Sequence, residues 1–423
     1  PVYQSMILNR FNAGTMSLQS YLEAQGEDKE EIDRIRDEMN DPLTAGILGK
    51  QLPMMAQQVI QIATAEVQAL AHRLQSAKRP MLWLGGGARA AGPAVERFVK
   101  MGWGVVTSVQ GRGVLPETHP ANLGSYNLQK SAEDLYQTCD AMLVVGSRLR
   151  SNETLRYKLK LPQHVYRIDA NALAHNRGYN SDYFVQGDAL TTLHALADLL
   201  EGHMQVDPAL INDVQQAHAQ AVALVDGTLG PYAKLKQALA EQVGAALWWV
   251  RDITLSNSMW GNRAPMLDHP RAGVHALGGG IGQGLAMAIG TAIADHEHQL
   301  QRKTVALVGD GGFMLNVGEL ACAVQERANL VVLLMNDSRY GVIKNIQDDL
   351  YGSRHCYVEL HNPDFAQFCS SLNVPHYKLT DPAQSAAVLQ QAFAQTGPVV
   401  VEVDMNAWGP FAAKFAGPIL KKD

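Results

Sequence analysis

Cysteine is scarce in this 423-residue chain, with four in all, Cys139, Cys322, Cys356 and Cys369. They show neither metal-ligand nor redox spacing, which sets aside zinc ribbons, thiol–disulfide motifs and a disulfide scaffold, and fits free thiols in a reducing cytosol. Charge is nearly balanced, at a formal net of −6, and no basic stripe breaks that balance, so nucleic acid is not an expected partner. The lysine pair Lys421 and Lys422 reads as a solvated tail. Long apolar runs are lacking as well. The most apolar window, 276–294, is rich in glycine and interrupted by Gln283, so a buried helix is expected there rather than a membrane span, and no secretory signal is visible. Internal repeats and low-complexity tracts are absent. What remains is ordinary globular composition, 47% hydrophobic and 18% charged, with length for two or three domains.

The pattern that is present alternates short β-branched runs with helical periodicity. Residues 62–203 open with a helix at Ala63–Leu74, pass into "RPMLWLGGG", a buried strand ending in a glycine turn, and then into "GWGVVTSVQGRGVLPETHPANLG", a second strand and loop. Strands are expected at Ala141–Val145 and His164–Ile168. Residues 204–244 are helical and polar, as in a connector. Residues 245–423 start with a strand and loop in "WWVRDITLSNSMWGNR" and close with a strand in "GPVVVEVDM". The tail "NAWGPFAAKFAGPIL", punctuated by proline and glycine, reads either as a lid or as a surface tail. This arrangement predicts an α/β chain with two doubly wound, Rossmann-like parallel-sheet domains, a helical connector and a helical N-terminal extension. The extension, residues 1–61, contains the acidic stretch "LEAQGEDKEEIDRIRDEM" and reads as an aberrant junction or a solvated helix. No clean G-x-G-x-x-G supports a nicotinamide dinucleotide. The run Gly278 to Gly284 fails the spacing, and Gly85-Gly86-Gly87 meets only the looser form ending in Ala90.

The stretch "VALVGDGGFMLNVGELACAVQERANLVVLLMNDSRYGVI", residues 305–343, carries the chemistry. Val305–Val308 and Leu330–Met335 read as buried strands, and Asn316–Arg327 as the helix between them. A right-handed crossover lays the strands parallel, so Asp310 and Asp337 open on the same edge of the sheet. Gly311 and Gly312 would let backbone N–H groups approach a phosphate. Two acids repel a bare phosphate, and a hard divalent cation between them resolves the conflict. The plainer reading is a generic βα turn with a capping aspartate.

Gly309-Asp310-Gly311 and Asn336-Asp337, with the two aspartates 27 positions apart, resemble the cofactor signature of the thiamine diphosphate enzymes, in the group of acetolactate synthases and 2-oxo acid decarboxylases. The resemblance implies that Asp310, Asp337 and the backbone carbonyl of Arg339 hold Mg²⁺. It also implies that Gly309, Gly311, Gly312, Tyr340, Gly341 and Val342 lie against thiamine diphosphate. "HALGGGIGQGLAMAIGTAI", residues 275–293, is similar to the family segment in which the Gly279 carbonyl would accept from the pyrimidine amino group and Ile281 would wedge the two rings apart. Ser256 and Asn257 are diphosphate contacts by position, or else ordinary turn residues. Ile343 stands where pyruvate decarboxylases carry a glutamate. It would wall the substrate pocket and favour an apolar 2-oxo acid, or else belong to the core.

In the central part, "RGVLPETHP", "VVGSRLRSNET" and "YRIDA…GDA" also resemble the family. "SRLRSNET", Ser147–Thr154, departs from the pattern of flavin-binding members, so FAD is not expected. The implied activity is a Mg²⁺-dependent 2-oxo acid decarboxylase or carboligase, acetolactate synthase-like, assembled as a homodimer or homotetramer. The family's catalytic glutamate lies on an N-terminal pyrimidine-binding domain that no stretch here resembles, so the catalytic residue stays unknown. The alternative is an inactive cofactor-binding fragment, or a subunit that needs a separate pyrimidine-binding domain.

Overall fold

The computed structural model describes residues 64–244 and 246–415, and the acidic segment 1–61 lies outside them. The first sheet contains β1 (Pro80–Leu84), β2 (Gly104–Thr107), β3 (Ala141–Val145), β4 (His164–Asp169) and β5 (Tyr183–Gln186), all parallel, in the order β2-β1-β3-β4-β5. β1, β2 and β3 are buried along their whole length, as expected for a parallel sheet covered on both faces. One face packs on α1 (Thr64–Leu74), α2 (Gly92–Lys100) and, later in the chain, α4 (Ala189–Leu200), and the other on α3 (Lys130–Thr138).

The stretch expected as a polar connector forms two helices, each with one buried stripe. In α5 (Leu210–Leu229), Leu210, Val214 and Ala217 complete the core of the first sheet. In α6 (Tyr232–Val243), Tyr232, Leu235 and Leu239 enter the core of the second. Their apolar residues recur every three or four positions within a polar background, which suffices to bury one side of a helix.

The second sheet contains β6 (Leu247–Arg251), β7 (Gly273–His275), β8 (Lys303–Gly309), β9 (Leu330–Asn336), β10 (His376–Leu379) and β11 (Pro398–Asp404), again all parallel, in the order β10-β11-β9-β8-β6-β7. β8 and β9 are the central pair. α7 (Gly284–Glu297) follows the glycine loop. The helix expected at Asn316–Arg327 begins earlier and is broken in two, α8 (Asp310–Leu315) and α9 (Glu319–Gln325). Extended Gly309 lets the chain turn into the helix at once, and Asn316 interrupts it by donating its side-chain amide to the Gly282 carbonyl at 2.6 Å. α10 (Gly341–Leu350) and α11 (Phe365–Ser371) follow β9, while α12 (Ser385–Ala394) and the short α13 (Met405–Trp408) flank β11.

A buried ion pair joins the two sheets. Arg112 and Glu117, 2% and 4% exposed, meet at 2.7 Å. Arg112 donates to the carbonyls of Arg263 and Pro265, and Glu117 accepts from the Leu267 amide at 2.8 Å. "RGVLPETHP" is thus a clasp on residues 261–267 of the second domain. Among the described residues, no helix is long and apolar enough to cross a membrane.

Candidate cofactor and metal site

In the register of β8 and β9, Gly309 lies opposite Met335, so the strands end almost level and deliver Asp310 and Asp337 to one edge. Asp310 is 2% exposed. Its burial pushes the carboxyl pKa up, against hydrogen bonds from the Asn362 side chain, at 2.6 Å, and from the backbone at Gly311 and Ser338. Asp337 is pushed up to about 7, first by burial and then by the charge of Asp310, with Arg339 opposing. The Arg339 guanidinium does not neutralise the pair. Its Nε donates to the Asp337 backbone carbonyl at 2.8 Å and its Nη2 to Asn406. Two neighbouring carboxylates each oppose the other's ionisation, and a cation between them would relieve that repulsion. Among the described residues, no group of three or more histidine, cysteine or carboxylate side chains could hold a metal. A two-carboxylate site suits Mg²⁺, which keeps waters and substrate phosphates in its shell, better than a metal needing an all-protein cage.

The glycines here are sterically required. A Cβ on Gly341 would stand 2.5 Å from Asp337 Oδ2, and one on Gly311 would stand 2.5 Å from the Tyr340 ring. Val342 follows Gly341 in the first turn of α10, a helix with no fully buried residue. In the glycine loop, Gly278, Gly279 and Gly282 have φ of 67°, 77° and 90°, where a side chain is strained. Nothing lies within 4 Å of where a Gly279 Cβ would be, and Ile281 is 37% exposed, so this loop presents an open backbone and a free apolar side chain.

Sequence reasoning missed the residue that holds this loop. Asp252, at the end of β6, is 1% exposed and accepts from the amides of Gly282 at 2.9 Å and Gly284 at 3.0 Å through Oδ2, and from Ile253 at 2.7 Å through Oδ1. Gln283, at the N-cap of α7, makes no capping bond, so Asp252 caps that helix from a strand thirty positions earlier. The one available signal was an acid directly after the apolar strand in "WWVRD".

Ser256 is fully buried and its Oγ has no hydrogen-bond partner among the described residues. The Asn257 side chain faces inward, where its Oδ1 accepts from Arg251 at 3.5 Å. Ile343 is 47% exposed on α10, outside the core. Beside it a cavity of about 530 Å³ is lined by Asp337, Arg339, Lys344, Asp348, Leu255 and the tail residue Phe411, among others. The tail is fastened there. Tyr232 Oη donates to the Gly409 carbonyl at 2.6 Å, Phe411 stacks on Tyr232 at 4.0 Å, and Lys414 meets Asp349 at 2.8 Å. Residues 409–415 therefore form one wall of the cavity.

The C-terminal TPP binding domain of thiamine pyrophosphate enzymes matches residues 256–403, and the central domain of the same enzymes matches residues 67–196. The chain belongs to the thiamine pyrophosphate enzymes. In this member of the family the central-domain match contains all of β1 to β5, and the C-terminal match contains Asp310, Asp337 and the glycine loop. The chain is 32% identical over 350 residues to a probable 2-ketoarginine decarboxylase, AruI, of Pseudomonas aeruginosa, covering 80% of this chain and 60% of that protein. It is 25% identical over 365 residues to the acetolactate synthase isozyme 1 large subunit of Escherichia coli, covering 84% and 64%. Against pyruvate oxidase of Lactiplantibacillus plantarum it is 25% identical over 376 residues, covering 86% and 60%. This thiamine pyrophosphate enzyme chain thus spans about three fifths of the length of these relatives.

Proposed function

We propose that the chain supplies the diphosphate- and metal-binding part of a thiamine diphosphate- and Mg²⁺-dependent enzyme that decarboxylates a 2-oxo acid or joins it to a second carbonyl compound. The observation that carries this reading is the pair Asp310 and Asp337, delivered by the ends of two paired central strands to one edge of the sheet, the first buried and the second half-buried. The residues present fit the group. The orphaned Ser256 Oγ is a buried polar atom left to a further partner, and the open space beside Gly278 and Gly279 leaves their backbone accessible to one.

In this reading Asp310, Asp337 and the Arg339 carbonyl hold Mg²⁺, and the backbone at Gly309, Gly311 and Gly312 faces the diphosphate. Tyr340, Gly341 and Val342 close the site beside the metal, and Ser256 and Asn257 flank the diphosphate. The Gly279 carbonyl orients the pyrimidine, and Ile281 props the bend between the rings. When bound, thiamine diphosphate supplies the carbon nucleophile and the electron sink for 2-oxo acid decarboxylation. In this reading Ile343 would wall the substrate pocket with an apolar side chain, from a position beside the cavity rather than in its lining. The exposed apolar side chains Leu277 and Leu315, at 71% and 56%, support a homodimer or homotetramer in which they are covered. No flavin belongs to this reading, because Ser147–Thr154 departs from the flavin-binding pattern. The four free cysteines support a cytoplasmic setting.

Calorimetry tests the reading. Thiamine diphosphate should bind with Mg²⁺ and not in its absence, and Asp310→Ala should weaken binding at least about tenfold, since even residues that only support metal ligands cost that much. Unchanged affinity in the variant overturns the metal assignment. The thiazolium carbon proton then separates an enzyme from a binding-only chain: exchange into deuterium no faster than in free cofactor identifies the latter.

A further inference from the structure

Behind Asp310 runs a continuous chain of hydrogen-bonded polar groups, half-buried at Asn362 and Asn336 and buried at Glu402, that belongs to none of the roles above. Asn362, just before α11, donates its side-chain Nδ2 to Asp310 Oδ2 at 2.6 Å and to Asn336 Oδ1 at 3.1 Å. Asn336 Oδ1 also accepts from the Ser338 amide at 3.1 Å, while its Nδ2 donates to Glu402 Oε1 at 2.8 Å. On β11, Glu402 meets His376 Nε2 of β10 at 2.9 Å through its other oxygen, and Lys378 stands 3.8 Å away. The Glu402 and His376 side chains are 5% and 8% exposed. The chain therefore crosses three neighbouring strands, from β10 at the sheet's edge to the end of β9, and reaches Asp310 beyond β8.

Its polarity runs one way. An ionised carboxylate only accepts hydrogen bonds, whereas a carboxamide has one accepting and one donating end. Glu402 therefore requires the Nδ2 end of Asn336, which leaves Oδ1 for Ser338 and Asn362. Turned around, Asn336 would set NH₂ against the Ser338 N–H and against the Asn362 amine. Asn362 in turn spends both amine hydrogens, one on Asn336 and one on Asp310. Burial alone would raise the Glu402 pKa, but the bonds from His376 and Asn336 and the charge of Lys378 outweigh it and hold the carboxyl below its usual range.

We propose that Glu402 and Asn362 are positioning residues for the metal carboxylate. Glu402 fixes the direction of the Asn336 amide, Asn336 fixes Asn362, and Asn362 holds the Asp310 carboxylate in the orientation that receives the cation. This rests on the assignment of Asp310 to Mg²⁺. Groups that orient a metal ligand are worth about ten- to a hundredfold in metal affinity.

The experiment is Mg²⁺ titration of the folded chain at saturating thiamine diphosphate, followed by calorimetry. Asn362→Ala should weaken Mg²⁺ binding about tenfold or more, and Asn362→Asp further, since it sets a second carboxylate against Asp310. Glu402→Leu should lose about as much as Asn362→Ala, and Glu402→Gln, which can still present an accepting oxygen to Asn336, should restore most of the affinity. The double variant Asn362→Ala/Glu402→Leu should bind no worse than either single one, because both break one chain, whereas two unrelated defects would add. Should Glu402→Leu not fold, the two Asn362 variants, on a half-buried loop, decide the matter. Wild-type binding with unchanged affinity in these variants, or additive losses in the double variant, overturns the positioning role and leaves the cofactor assignment standing. Absence of Mg²⁺-dependent binding in the wild type removes both.

Discussion

At the scale of single residues, setting two aspartates side by side makes stability depend on pH. Asp337 titrates near 7 in the folded chain, while an unfolded aspartate titrates near the ordinary carboxylate value of about 3.9. The folded state therefore keeps its proton over a pH range in which the unfolded state has lost it, so stability falls as pH rises from about 4 to about 7 and levels off above that. The loss should be on the order of a few kcal/mol, at about 1.4 kcal/mol per pH unit of displacement. Urea denaturation in the presence of a chelator, at pH 4.5 and pH 7.5, checks this, and Asp337→Asn should flatten the dependence. Binding should show the opposite slope: affinity for Mg²⁺ and thiamine diphosphate should increase through pH 7, with proton uptake by the buffer, because the cation needs the ionised carboxylate. Both aspartates were legible in the sequence, since each follows an apolar run that can only be a buried strand. Asp252, Asn362 and Glu402 were not, because Gly282, Asp310 and Asn336, which they hold, lie 30, 52 and 66 positions away and nothing local distinguishes them from a turn acid, a loop asparagine and a strand glutamate.

At the scale of elements, strands were read more accurately than helices, for a physical reason. β3 was expected at its observed bounds, and β8 and β9 within a residue or two, since fully buried parallel strands are uninterrupted runs of valine, leucine and alanine. The helix after β8 was displaced because two glycines read as a loop, whereas here they form the first turn of α8, where any side chain would meet Tyr340 or Asp252. The start of α7 is the point at which one element depends on another. Asp252→Ala would strip two amides of the glycine loop of their acceptor, at a cost of about 1–3 kcal/mol for buried groups left unpaired. The expected result is a lower unfolding midpoint together with faster hydrogen exchange confined to residues 277–284. Exchange unchanged in that loop would show that its conformation does not rest on the cap.

At the scale of the whole molecule, the two sheets with helices on both faces follow directly from the alternation of short apolar strands and periodic helical segments. What holds the sheets together does not. Arg112 and Glu117 are five positions apart in "RGVLPETHP", a loop whose family resemblance said nothing of a partner, yet they are buried against carbonyls and an amide of residues 261–267. Removing one partner of a buried pair strands the other's charge, at about 3–5 kcal/mol. Arg112→Ala should therefore split thermal unfolding into two calorimetric transitions, the domains losing their common clasp, while a single shifted transition would show that α5 and α6 suffice to couple them.

The position of β8 and β9 at the middle of the six-stranded sheet has a consequence in time. Two strands flank the pair on each side, so its hydrogen bonds open last, at a free energy near that of unfolding the whole domain. The glycine loop at 277–283, mostly exposed and tied among the described residues through Gln283, Asn316 and Asp252, should open far more often. A ligand held at this edge would thus meet a floor that is always formed and a loop that opens and closes above it.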